Sequence, residues 1–118
     1  MKKTNNQIVL DITLDEHNIP SAIHWTADDG PDAGVSHEVK AFLLSLCDAG
    51  TGDTLKIDLW TKDFQVHEMN SMVFFTLKSL ADTYLRATDN KALATDLRRF
   101  GEYFAEQCKL KDQEGTKN

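Results

Sequence analysis

Four histidines, two cysteines and several aspartates are the residues of this chain that could do chemistry. Two imidazoles on one helix face need a spacing of four, and a zinc-protease helix needs HExxH. His17, His24, His37 and His67 offer neither, so they read as solvated surface histidines. Asp28, Asp29 and Asp32 suggest calcium, but a calcium loop needs alternating acids and a later bidentate glutamate. They read as turn formers. Gly50-Thr51-Gly52 has the composition of a phosphate cradle, yet a cradle follows a strand and opens a helix. Here the glycines precede a strand, which makes them a turn. Neither Cys47 nor Cys108 has a histidine fixed near it by sequence, and there is no CxxC or GxSxG. Cys108 suits a small apolar filler. Asp11 and Asp58 fall on one outer sheet face, where close carboxylates could divide acid and base roles. That face lacks walls for a pocket. The reading is a non-enzymatic protein with no catalytic residue, no metal ligand and no cofactor.

Composition narrows the partners. The chain has 118 residues, 41% hydrophobic and 27% charged, which are globular values for a single domain over 1–118. Order is expected over about 7–110, between polar tails at 1–6 and 111–118. Thirteen basic against 19 acidic residues give a net charge of -6. That balance disfavours nucleic acid and anionic membranes, which need a basic face. No apolar run reaches the length of a membrane span. The start, Met1-Lys2-Lys3-Thr4-Asn5-Asn6-Gln7, is followed by a stretch broken at Asp11 and Asp15-Glu16, so no export signal is read. Cytoplasmic localisation and reduced thiols are expected.

The first half carries strand periodicity and the second half helix periodicity, the order of an α+β domain. Ile8, Leu10, Ile12 and Leu14 define one face of a first strand. Asp15-Glu16-His17-Asn18 is a turn, and a second strand runs from about Ile19 to Thr26. Setting Leu14 against Ile19 places Ile12 opposite Ser21, Leu10 opposite Ile23 and Ile8 opposite Trp25. Residues 36–47 suit a short helix or a strand. A turn at Ala49–Gly52 decides for the strand, because Leu46 then meets Leu55, Leu44 meets Ile57 and Phe42 meets Leu59. A helix from about Gln65 to Ala87, capped by Asp63, carries Val66, Met69, Val73, Leu77, Leu80 and Tyr84, a stripe widened by Phe74 and Phe75 so that much of its girth is expected to be buried. A second carries Leu93, Leu97, Phe100, Phe104 and Cys108. The expected fold is an antiparallel four-stranded sheet of two hairpins with two C-terminal helices on one face.

One side chain resists a purely structural reading. The second hairpin's register points Trp60 to the outer face with Lys56, Asp58, Leu43 and Ala41, and His24 is expected on the same side. A tryptophan among charges on an open sheet is the kind of anchor that protein interfaces favour. Trp60, Asp58, Lys56, Leu43 and His24 are therefore the candidate partner-binding residues.

Leu55-Lys56-Ile57-Asp58-Leu59-Trp60-Thr61-Lys62-Asp63 resembles the signature block of the gliding motility protein GldC family of the Bacteroidetes. The likeness extends to Ile23-His24-Trp25, Val66, Glu68, Met69, Ala81-Asp82-Thr83-Tyr84, Arg86-Ala87-Thr88 and Tyr103-Phe104-Ala105-Glu106. Cys47 stands where the family has an aromatic. The resemblance implies a small soluble cytoplasmic accessory protein of the gliding and secretion apparatus, with protein partners and no cofactor. The order of elements is also similar to the export chaperone SecB. That analogy implies the alternative of a holdase for unfolded clients, and leaves a homo-oligomer open.

Overall fold

A computed structural model describes residues 5–110. The polar tails expected at 1–6 and 111–118 therefore lie outside the described residues, except for positions 5 and 6. The chain forms two compact units, one ending at Phe64 and the other beginning at Gln65. The first unit holds β1 (Ile8–Leu14), β2 (Pro20–Ala27), β3 (His37–Val39), β4 (Ala41–Cys47) and β5 (Thr54–Trp60). The second holds α1 (Val66–Thr88) and α2 (Lys91–Cys108). The class is α+β with antiparallel pairing, as the periodicities imply.

The expected single four-stranded sheet is corrected to two sheets, β1-β2-β3 and β4-β5. Residues 36–47 are extended, but they break at Lys40. Alternation supplies the reason. Ile23 pairs with Val39 and His24 with Glu38, so counting across Lys40 groups Val39 with Ala41 and Leu43, and Glu38 with Phe42 and Leu44. In one flat sheet the apolar face of the first hairpin would run into the polar face of the second. Phe42, Leu44 and Ile57 would then be stranded on the opposite side. The break frees each hairpin to orient its own apolar face. The ladder is mended around it: the Thr61 N–H donates to the Lys40 carbonyl at 2.8 Å, and the Lys62 N–H donates to the Pro20 carbonyl at 3.1 Å.

The first hairpin also departs from its expected register. Leu14 lies opposite Pro20, Ile12 opposite Ile23, Leu10 opposite Trp25 and Ile8 opposite Ala27. The Asp15 carboxylate accepts the N–H groups of His17 (2.8 Å) and Ile19 (3.0 Å). Asn18 takes a left-handed φ of 62°, a conformation asparagine tolerates better than most residues. A bulge between Thr13 and Leu14 then leaves Ser21 as the extra residue. The displacement from Ile8 to Ile12 is two residues. Even displacements preserve faces, so the same side chains still share a side.

The second hairpin has the expected register throughout, from Ala41 opposite Trp60 to Leu46 opposite Leu55. Its turn is held by Asp48, whose carboxylate accepts the N–H groups of Gly50 (3.0 Å) and Thr51 (2.9 Å). Gly52 closes it at φ 78°, where a side chain would be strained.

In the second unit, α1 is capped by Gln65 and not by Asp63. Gln65 and Glu68 form a reciprocal capping box, with the Gln65 N–H donating to Glu68 Oε1 at 2.9 Å. Asp63 instead accepts the Thr61 hydroxyl at 2.6 Å. Asp89 turns the chain at φ 58°, and Asn90 caps α2 by accepting the Leu93 N–H at 3.1 Å. The buried face overlaps the expected stripes, with Phe74 buried and Leu77, Leu97, Phe104 and Cys108 half-buried, but it is rotated toward small residues. Phe74 and Ala81 are buried on α1, and Ala94, Gly101 and Ala105 on α2. Val66, Leu80, Leu93 and Phe100 are exposed. Small residues explain the rotation, because they let helix backbones approach. A Cβ at Gly101 would stand only 3.6 Å from Leu77 Cβ. Phe74, Ala105 and Leu110 form the cluster at one end, with Phe104 and Cys108 packed against it. Cys108 is thus the apolar filler that its stripe position suggests.

Candidate protein-docking groove

Strand alternation brings Lys56, Asp58 and Trp60 to one face of β5, directly across from Ser45, Leu43 and Ala41 of β4. The Lys56 ammonium pairs with the Asp58 carboxylate. Trp60 remains 49% exposed, a large amphipathic ring left half open to water. Beside it the tip of the first hairpin comes up against the end of β5. Together Ile19, Pro20, Asp58, Leu59, Trp60 and Lys62 line an open groove of about 270 Å³.

Two contacts hold the groove's walls together. One is the Lys62 N–H bond to the Pro20 carbonyl. The other is an ion pair from Lys62 Nζ to Asp15 Oδ2 at 2.8 Å. Asp15 is held down to a pKa of about 2, first by the Lys62 hydrogen bond and then by the amides of Ile19 and His17. A depressed carboxylate contributes stability that is fully present above its unfolded value near 3.9 and is lost as pH falls through about 2. Lys62→Met is therefore expected to raise the Asp15 midpoint measurably in an NMR carboxyl titration. An unchanged midpoint would show that the amides alone set it.

The groove is lined by apolar and charged side chains. Its ring, proline and leucine surfaces offer apolar contact, while both lysines already face carboxylates. It holds no thiol, hydroxyl or imidazole to act as a nucleophile or base. Among the described residues, no cluster of three or more His, Cys, Asp and Glu could hold a metal ion.

Of the five candidate residues, Trp60 and Asp58 line the groove, Lys56 pairs with Asp58, and Leu43 lies across the strand from Asp58. His24 stands apart, between Asp11 of β1 and Glu38 of β3. Ile19, Pro20 and Lys62 were not legible as site residues. Their approach depends on the first hairpin's tip meeting the end of β5, a tertiary contact without local signal. The reading of His37 as a solvated surface residue is also revised. Its ring stacks on Trp25 at 5.0 Å between centroids, and its Nε2 lies 3.5 Å from Asp32 Oδ2.

A family model described as gliding motility-associated protein GldC-like matches residues 20–110. That span takes in β2 through α2, including most of the groove. The searches of curated proteins and of solved structures gave no match.

Proposed function

The chain belongs to the GldC-like family, and from that premise we propose that it is a non-enzymatic cytoplasmic adaptor of the gliding motility machinery. It docks on a protein of that apparatus through the Trp60 groove. The observation that carries this reading is the half-exposed indole beside an apolar groove whose charges are already paired. Such a site gains from burying apolar surface. Among the described residues no helix is long and apolar enough to cross a membrane.

Trp60→Ala is expected to leave the fold intact, since the ring is half in water, and to weaken partner binding at least about tenfold, as loss of an interface tryptophan does. Affinity capture from native cytosol with wild type and mutant would read this, after matching their circular dichroism. Equal recovery of the same partner by both proteins would remove Trp60 from the interface. The exposed Leu46, Leu55 and Ile57 on the apolar face of β4-β5 favour a second reading, a SecB-like holdase. That reading predicts many unrelated unfolded clients, captured without regard to Trp60.

A further inference from the structure

The outer edge of β1 is a second interaction surface, separate from the groove. Its hydrogen-bonding pattern can be counted. The Asp28 N–H donates to the Gln7 carbonyl at 3.1 Å, so residues 7 and 28 form a hydrogen-bonded pair. Antiparallel pairs alternate between bonded and non-bonded types. With the register of Val9 opposite Thr26, Asp11 opposite His24 and Thr13 opposite Ala22, those odd-numbered residues spend their backbone groups on β2. Ile8, Leu10 and Ile12 turn theirs outward. The same count on the far side of β2 leaves Ile23 and Trp25 bonded to Val39 and His37, in agreement with the pairing of β3. Among the described residues no strand pairs with the outer edge of β1.

Edges of this kind are normally guarded by lysine, proline or a covering segment. The outer strand β5 follows that rule, with Lys56 and Asp58 along it. β1 does not. Its sequence Ile-Val-Leu-Asp-Ile-Thr-Leu carries no lysine and no proline, and Ile8 is 75% exposed.

We propose that β1 pairs antiparallel with β1 of a second copy of this chain, about a two-fold axis at Leu10. Of the outward residues Ile8, Leu10, Ile12 and Leu14, this axis pairs the first three with one another. Leu10 then bonds Leu10, and each Ile8 bonds the opposing Ile12, so the N–H and C=O groups of these three residues are satisfied in both copies by six hydrogen bonds. The apolar side chains meet each other on one face. On the other face Asp11 meets Val9. A two-fold axis at Asp11 would also pair Leu14 with Ile8, but it would set the two Asp11 carboxylates directly against each other, which disfavours it. None of the groove-lining residues lies on β1, so the dimer leaves the docking site of each copy free.

Sedimentation equilibrium of the full chain over a micromolar concentration series tests the pairing. Wild type is expected to reach dimer. Ile8→Pro removes an outward N–H that β2 does not use, so the fold should survive. The dimer's dissociation constant should rise at least about tenfold, with two bonds lost across the two-fold axis. Ile8→Val should behave as wild type. For the case that Ile8→Pro fails to fold, Gln7→Cys with Thr13→Cys, in a chain also carrying Cys47→Ser and Cys108→Ala, reads the register. Residues 7 and 13 would oppose each other in a non-bonded pair with Cα atoms about 4.5 Å apart, within disulfide reach. Mild oxidation should then give a covalent dimer. A monomer at every concentration, a dimer indifferent to Ile8→Pro, or a dimer that fails to cross-link would each overturn the proposal. So would an edge occupied by an extended peptide in place of a second copy.

Discussion

Phe74→Ala is expected to cost the helical unit about 3–5 kcal/mol, the usual range for emptying a buried phenylalanine site. Phe74 is 6% exposed and heads the cluster with Ala105 and Leu110. The Lys78 ammonium stands 5.2 Å from its ring centroid and the Phe75 ring 4.9 Å. Apart from Leu110 in the same cluster, the other buried positions of the helices are alanine and glycine, which cannot lengthen to fill a cavity. Collapse would need the helices themselves to move closer, and Gly101 already lies against Leu77. The cost should therefore fall near the top of the range. Urea unfolding followed at 222 nm reads this unit, because both helices lie in it. Tryptophan fluorescence reads the other, since Trp25 and Trp60 both precede Gln65. Phe74→Leu should recover much of the loss. A midpoint shift for Phe74→Ala worth less than about 1 kcal/mol would mean that the ring is not part of a packed core.

The expected stripes on the helices show how far the sequence could be read here. Both helices and their lengths follow from spacing, but the buried face follows only in part. The hydrophobicity pattern ranks Leu80, Leu93 and Phe100 above Ala81, Ala94 and Gly101. Backbone approach ranks them the other way, because two helices meet most closely where side chains are small. The sheet shows the opposite case. The second hairpin's register is legible because every one-residue slip pairs leucine with lysine or aspartate, and the turn at Ala49–Gly52 fixes the rest. The first hairpin was legible in its faces but not in its register, since Asp15 and the Ser21 bulge add length that period-2 counting does not register. The break at Lys40 is written in the parity of the chain: Val39 and Phe42 cannot share a face. That parity becomes decisive only once β3 is known to pair with β2. Trp60, Asp58 and Lys56 could be named in advance because one hairpin places them. The remaining groove wall, from Ile19 to Pro20 and Lys62, is contributed by a distant turn.

The same contrast sets the last expected result. Ile23 has no exposed surface, and it is the largest side chain buried so completely among the described residues. It occupies the central strand, between Ile12 of β1 and Val39 of β3. Ile23→Val removes one methylene and should cost about 0.5–1.5 kcal/mol. Ile23→Ala should cost about 2–5 kcal/mol, because flanking strands fixed by ladder bonds cannot close on the cavity. For a domain stable by about 5–15 kcal/mol, that is a large share of the total. The loss should be felt first by β3, a strand of three residues whose other anchor is the stack of His37 on Trp25. Alternation directs the Val39 amide toward β2, so its hydrogen exchange should accelerate in Ile23→Ala before the β1-β2 ladder is affected. Trp25, two residues away on the same face, makes fluorescence a direct reporter of the unfolding curve. If Ile23→Ala proved no costlier than Ile23→Val, the site would have collapsed around the smaller side chain. β3 would then be held by the Trp25–His37 stack and its ladder bonds alone.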